Sequence, residues 1–195
     1  MIDMVFDLDG GILPAAYPFA LWAGIARHAP QLTEEKLVGI LPLRTAESNE
    51  GLLLAKRAKL VLRLPTALTG SASHLAGSAL QIGSSQLQLG KSKTRKIQPY
   101  STLHAQLVTG TSEEAMFMDD IRTQLSEMKI TAKLICGKRC ALAGNQQTIN
   151  GYSLVIHDLK PEASLQLQYA GLGESRQFGC GIFVPYKVIS GLYDD

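Results

Sequence analysis

Apolar and polar residues alternate from Met4 to Leu8, and this period of two predicts a strand, which Gly10 and Gly11 break. Beyond Pro14 the period changes. Phe19, Trp22, Ile25 and Ala26 recur at helical spacing, so an amphipathic helix is expected over Ala16 to His28, ended by Pro30. Gly51 to Leu54 and Lys59 to Leu64 read as two strands joined at residues 55–58. In the second, Leu60, Leu62 and Leu64 alternate with Lys59, Val61 and Arg63 until Pro65 stops the run. Residues 66–75 read as a weak helix. Leu80, Ile82, Leu87 and Leu89 then form a closing strand pair turning at Gly83-Ser84-Ser85.

Lys91 to Lys96 reads as a basic connector, after which the same order returns. Thr102 to Val108 alternates like a strand. Ser112 is the expected N-cap of a helix reaching about Met128, with Glu113 and Glu114 in its favourable first turn. Ile130 to Cys136 and Arg139 to Ile149 read as a hairpin around Gly137-Lys138, and Tyr152 to Ile156 continues the sheet. Pro161 opens a second helix that Gly171 ends, and Gly181 to Val188 is the last strand. Strand, helix, two strands, helix, strand, twice over, predicts an α+β chain of two tandem ferredoxin-like (RRM-like) domains, 1–92 and 93–195.

Composition narrows the setting. Of 195 residues, 46% are hydrophobic and 18% charged, enough to bury a core. No apolar run reaches the roughly 18–20 residues of a membrane helix, and the first residues lack a basic start, so a cytoplasmic protein without membrane contact is expected. Three cysteines, Cys136, Cys140 and Cys180, suit a reducing compartment. Cys136 and Cys140 lack a second pair at metal-binding spacing, so no metal and no cofactor is expected.

Charge is distributed unevenly. Residues 51–110 carry eight basic side chains and no acidic one, against a net charge of only +2 for the whole chain. Such a field favours phosphate backbones. It nominates Lys56, Arg57, Lys59, Arg63, Lys91, Lys93, Arg95 and Lys96 as contacts to a nucleic-acid backbone. Two further segments look like chemistry. Phe6-Asp7-Leu8-Asp9-Gly10-Gly11-Ile12-Leu13 resembles the first motif of haloacid-dehalogenase phosphatases, but over eight residues only and in a chain lacking the alternating strand–helix pattern of that fold. Gly171-Leu172-Gly173-Glu174-Ser175-Arg176-Gln177-Phe178-Gly179-Cys180-Gly181 is rich in glycine between a helix and a strand. Its backbone N–H groups could converge on an anion, with Arg176 adding charge.

Taken with that loop, Gly11-Ile12-Leu13-Pro14, Val38-Gly39-Ile40-Leu41-Pro42-Leu43-Arg44, Ala58 to Pro65, Ser164 to Gln168 and Phe183-Val184-Pro185 run collinearly. In them the chain resembles the CRISPR repeat-processing endoribonucleases, the Cas-six family, and its short myxan-type branch. The resemblance implies binding of a CRISPR repeat stem-loop and metal-independent cleavage, in which the ribose 2′-hydroxyl attacks the adjacent phosphate to leave a 2′,3′-cyclic phosphate. It implies retention of the guide RNA within an interference complex of other subunits. Arg44, Lys138, Arg139, Gly171, Gly173, Arg176, Gly179 and Gly181 join the expected RNA contacts. One position departs from the pattern: where the branch carries histidine, this chain has Leu41, which transfers no proton. His28, with Tyr17 at the other end of the same helix, is the substitute nominated for catalysis. A non-cleaving repeat-binding subunit is the alternative.

Overall fold

The computed structural model describes residues 1–144 and 146–186. In chain order the elements are β1 (Ile2–Asp9), β2 (Ile12–Leu13), α1 (Tyr17–His28), β3 (Gly39–Ile40), β4 (Thr45–Ser48), β5 (Gly51–Leu54), β6 (Lys59–Leu64), α2 (Thr69–Ser73), β7 (Ala79–Ile82), β8 (Ser85–Arg95), β9 (Leu103–Thr109), α3 (Glu114–Glu127), β10 (Lys133–Ala143), β11 (Thr148–His157), α4 (Pro161–Ala170) and β12 (Val184–Pro185). No described helix is long and apolar enough to cross a membrane.

Two antiparallel sheets carry the tandem ferredoxin-like folds. The first has the order β3-β6-β1-β8-β7 and the second β10-β11-β9-β12. In β1, Met4 and Phe6 enter the core beside Leu60, Leu62 and Leu64 of β6, while Asp3, Val5 and Asp7 pair with Arg63, Val61 and Lys59 on the opposite face. α1 covers the core side through Tyr17, Leu21, Gly24 and Ile25. Its buried stripe is therefore rotated from the expected one, and Phe19 and Trp22 sit at its edge. In the second domain Phe117, Ile121 and Leu125 of α3 recur at four-residue spacing and pack on Leu103, Ala105, Leu154 and Ile156.

The structure corrects several expected pairings. Gly51–Leu54 is no hairpin partner of Lys59–Leu64. It forms a separate three-stranded sheet, β2-β5-β4, while the true neighbour of β6 is the two-residue β3. Two residues cannot display an alternation, so the sequence pattern passed over them. The basic connector is strand: β8 continues through Arg95, each residue from Ser92 paired to β1. We therefore place the domain division in the 96–102 segment, not at 92/93. Gly137-Lys138 is a bulge inside β10, where the register with β11 shifts between Cys136 and Arg139. The real turn closes with the Gly144 amide donating to the Gln147 carbonyl, 2.8 Å. Ser112 does not cap α3: the cap position is Glu113, without a side-chain cap bond. The last described strand is only Val184–Pro185, and Lys187–Val188 lie outside the described residues.

Candidate nucleic-acid interface

The faces of the two sheets away from their helices flank a cleft of about 1270 Å³. On the first sheet the cleft meets Asp3, Val5, Lys59, Val61 and Arg63, joined by Leu41, Arg44, Arg57, Arg95 and Lys96. On the second it meets Gln106, Cys140, Leu142 and Val184. Cross-strand register explains the cation row. Asp3 pairs with both Arg63 and Arg95, so two guanidinium groups of one row meet on its carboxylate. Asp3 is the acidic residue in the lining, and it is spent: Arg63 Nε donates to its Oδ1 at 2.8 Å and Arg95 Nη2 to its Oδ2 at 2.9 Å. Arg44, Arg57 and Lys96 are exposed there, and Arg95 keeps 54% of its side chain exposed. Asp7, two rows on, pairs with Lys59. The Lys59 hydrogen bond and charge, with Lys93 and Lys91 beyond, hold its carboxyl below the usual range.

Two nominated RNA contacts have other work. Arg63 is 2% exposed, and besides Asp3 it donates through Nη1 to the carbonyls of Phe183 at 2.8 Å and Gln168 at 3.3 Å. It ties the first sheet to the second domain. Arg176 is also buried, donating to the Ala170 carbonyl at 2.7 Å and the Leu37 carbonyl at 3.4 Å. Burial, with Arg63 nearby, lowers its pKa to about 10. Both guanidiniums are buried, with Arg63 spent on Asp3 and two carbonyls and the Nη groups of Arg176 on two more, so neither presents an open face to a phosphate.

The glycine-rich loop is corrected in the same sense. The Gly171 amide donates to Leu167, Gly179 to Arg176 and Gly181 to Leu107, while Gly173 donates to Gln124 Oε1 at 3.0 Å. All four N–H groups have protein acceptors, so they form no anion cradle. Glycine is required by packing: at Gly181, φ +63°, a Cβ would sit 2.0 Å from the Leu172 carbonyl oxygen. The loop is a domain joint, with Phe178 packed on Phe19 of α1 at 4.7 Å and Gly179 against Ile40 and Pro42. Lys56, Lys91, Lys93, Lys138 and Arg139 are exposed but outside the cleft lining.

The nominated catalytic pair is not brought together. Tyr17 and His28 stand at opposite ends of α1, about 16 Å apart along its axis. Tyr17 reaches the cleft, but its hydroxyl accepts the Leu43 amide at 3.1 Å, and burial raises the phenol above its ordinary value, so it keeps its proton. His28 is exposed, with Nδ1 2.9 Å from the Gly24 carbonyl, and none of the four histidines lines the cleft. Leu41 does line it, its amide bonded to the Val61 carbonyl at 2.9 Å. The phosphatase reading fails on the fold. Asp7 and Asp9 lie on a central strand with antiparallel neighbours on both sides.

Residues 2–188 match the family described as Cas6 CRISPR. The chain belongs to the Cas6 family. A CRISPR-associated endonuclease Cas6 of Myxococcus xanthus (strain DK1622) is 30% identical over 186 residues, 94% of this chain and 81% of the relative. Among solved structures, an RAMP protein binding different RNA substrates superposes with a TM-score of 0.72 at 14% identity, covering 94% of this chain and 98% of its own. A Cas6-related protein of Pyrococcus furiosus superposes at 0.69 and 13% identity, covering 98% and 99%. At such identities these two establish the Cas6 fold. Sequence reading missed Asp3, whose role requires the register of three strands, and no local signal could have found it.

Proposed function

We propose that this chain binds the stem-loop of CRISPR repeat RNA and processes the precursor by metal-independent cleavage, remaining on the guide RNA in the cytoplasm as part of an interference complex. The observation that carries the reading is a cleft rich in arginine and lysine, with its acidic residue neutralised, in a chain of the Cas6 family. An A-form stem is recognised mainly through shape and phosphates, which suits a cationic wall without a base-specific pocket. Cleavage by the 2′-hydroxyl needs a proton acceptor, a proton donor for the 5′-oxygen and positive charge on the phosphorane. Arg44, Arg57 and Lys96 are placed to supply the charge. Leu41 favours a second reading, a repeat-binding subunit that cuts slowly or not at all, because the cleft contains no imidazole.

The test is incubation with the protein's own repeat RNA, with and without chelator. Cleavage that survives chelation supports the first reading, binding without cleavage the second, and no binding removes both. Affinity should fall with salt at a log–log slope of roughly 0.7–0.9 per neutralised phosphate. Arg57→Ala or Lys96→Ala should each reduce that slope by about one unit. A salt-independent Kd contradicts the phosphate-dominated interface. His28→Ala should leave the cleavage rate within about twofold of wild type. A loss of roughly 10²–10⁴-fold, the usual share of a general acid or base, would restore His28 as the catalytic residue.

A further inference from the structure

We propose that the uncovered face of the second sheet is a stacking platform for unpaired bases of the RNA, carried by His104 and Tyr186. This rests on the RNA-binding reading above and adds to it a separate contact for single-stranded RNA flanking the stem-loop. Register places four side chains in one row across the whole sheet: Val184 of β12 opposite His104 of β9, His104 opposite Val155 of β11, and Val155 opposite Ile135 of β10. Their neighbours in sequence, Leu103, Leu154 and Ile156, point the other way and are fully buried in the core. The row therefore lies on the face away from the helices. It is a nearly apolar strip, yet Ile135 is 54% exposed and Tyr186, beside its other end, is 47% exposed.

Unpaired bases are the occupant this strip fits. The His104 and Tyr186 rings lie 5.7 Å apart, tilted by 50°, and Tyr186 leaves half its surface to a further ring. Burial lowers the pKa of His104, so near neutral pH it presents an uncharged ring. Flat rings on an open sheet are how a ferredoxin-like fold accepts splayed bases, and stacking tolerates any base because each has a π-face. The strip is also continuous with the cationic cleft: Val184 and Gln106, on the same face as His104, line the cleft with Arg95 and Lys96. Asp158, next to His157 of β11, is occupied by Lys133 and His157. A strand leaving the cleft would find bases stacked at one side and phosphate partners at the other.

The experiment uses the full chain and two RNAs, the bare repeat stem-loop and the same stem-loop with a short unpaired flank carrying 2-aminopurine. Wild type should bind the flanked RNA on the order of tenfold more tightly and quench the 2-aminopurine. His104→Ala with Tyr186→Ala should lose that increment and the quench, with the bare stem-loop Kd unchanged, whereas Tyr186→Phe should keep both. Ile135→Ser, an exposed change away from the ring pair, should weaken the flanked RNA alone. Equal wild-type affinity for the two RNAs, or an increment retained by the double variant, overturns the platform. Failure of wild type to bind even the bare stem-loop would overturn the RNA-binding reading and the platform with it.

Discussion

Leu41→His is expected to raise single-turnover cleavage of repeat RNA by about 10²–10⁴-fold, the usual contribution of a positioned general acid or base. Leu41 stands on the cleft wall, anchored by its amide to the Val61 carbonyl, with Arg44 three residues on along the same wall. The resemblance to the myxan-type branch puts histidine at this position. The groups otherwise at hand are poor proton carriers at neutral pH: Tyr17 is held protonated by burial, and the lysines and arginines are cations. An imidazole at position 41 would meet the substrate phosphate in a site that already supplies the positive charge. The gain should follow an apparent pKa near that of an ordinary imidazole, about 6.5, and should persist in chelator. A variant that binds normally and cuts no faster than wild type would show that position 41 is not where this chain lost or relocated its proton carrier.

Arg63→Met is expected to cost about 3–5 kcal/mol of folding stability, a fall in Tm of roughly 6 °C or more at 2–4 °C per kcal/mol. The substitution strips Asp3, 2% exposed, of its buried partner and leaves the Phe183 and Gln168 carbonyls without their donor. Arg95 still reaches Asp3, which places the loss at the lower end of that range. Arg63→Lys should restore only part of it. An ammonium can meet the carboxylate but cannot span to carbonyls on the far domain as the planar guanidinium does. Replacing Asp3 and Arg63 together by apolar residues should recover most of the loss, since no buried charge is then left alone. Chemical denaturation of the four proteins decides. An Arg63→Met variant as stable as wild type would mean that Arg63 is not what joins the domains.

Strands and helices that bury one side were legible because burial imposes a period on the chain. Leu60, Leu62, Leu64, Leu80, Ile82, Leu87 and Leu89 were all placed by it and are buried, and with them came the tandem ferredoxin-like order. The misreadings came where no period exists. β3 is too short to show one. β8 beyond Leu89 buries no side chain, so its Lys-Ser-Lys-Thr-Arg run reads as loop although its backbone is paired to β1. Gly137-Lys138 has the composition of a turn, but the partner strand extends past it, and the pairing absorbs the extra residue as a bulge.

The candidate site divides along the same line. The acid-free stretch from residue 51 to 110, its cations, and the leucine at position 41 are properties of the sequence alone, because charge and proton-transfer capacity belong to the residue type. Which cations are available to RNA belongs to the tertiary structure. Arg57 and Arg63 are six residues apart in one basic run, yet one is exposed at the cleft and the other is sealed between Asp3 and two carbonyls of the second domain. Arg176 looked like a phosphate ligand in a glycine-rich loop, and its donors instead meet carbonyls at the domain joint. Burial and the identity of a hydrogen-bond partner arise from contacts more than a hundred residues apart in sequence, such as Arg63 with Phe183 and Arg176 with Leu37. No local pattern encodes them, because the energy that holds them exists only once both domains are folded and face each other.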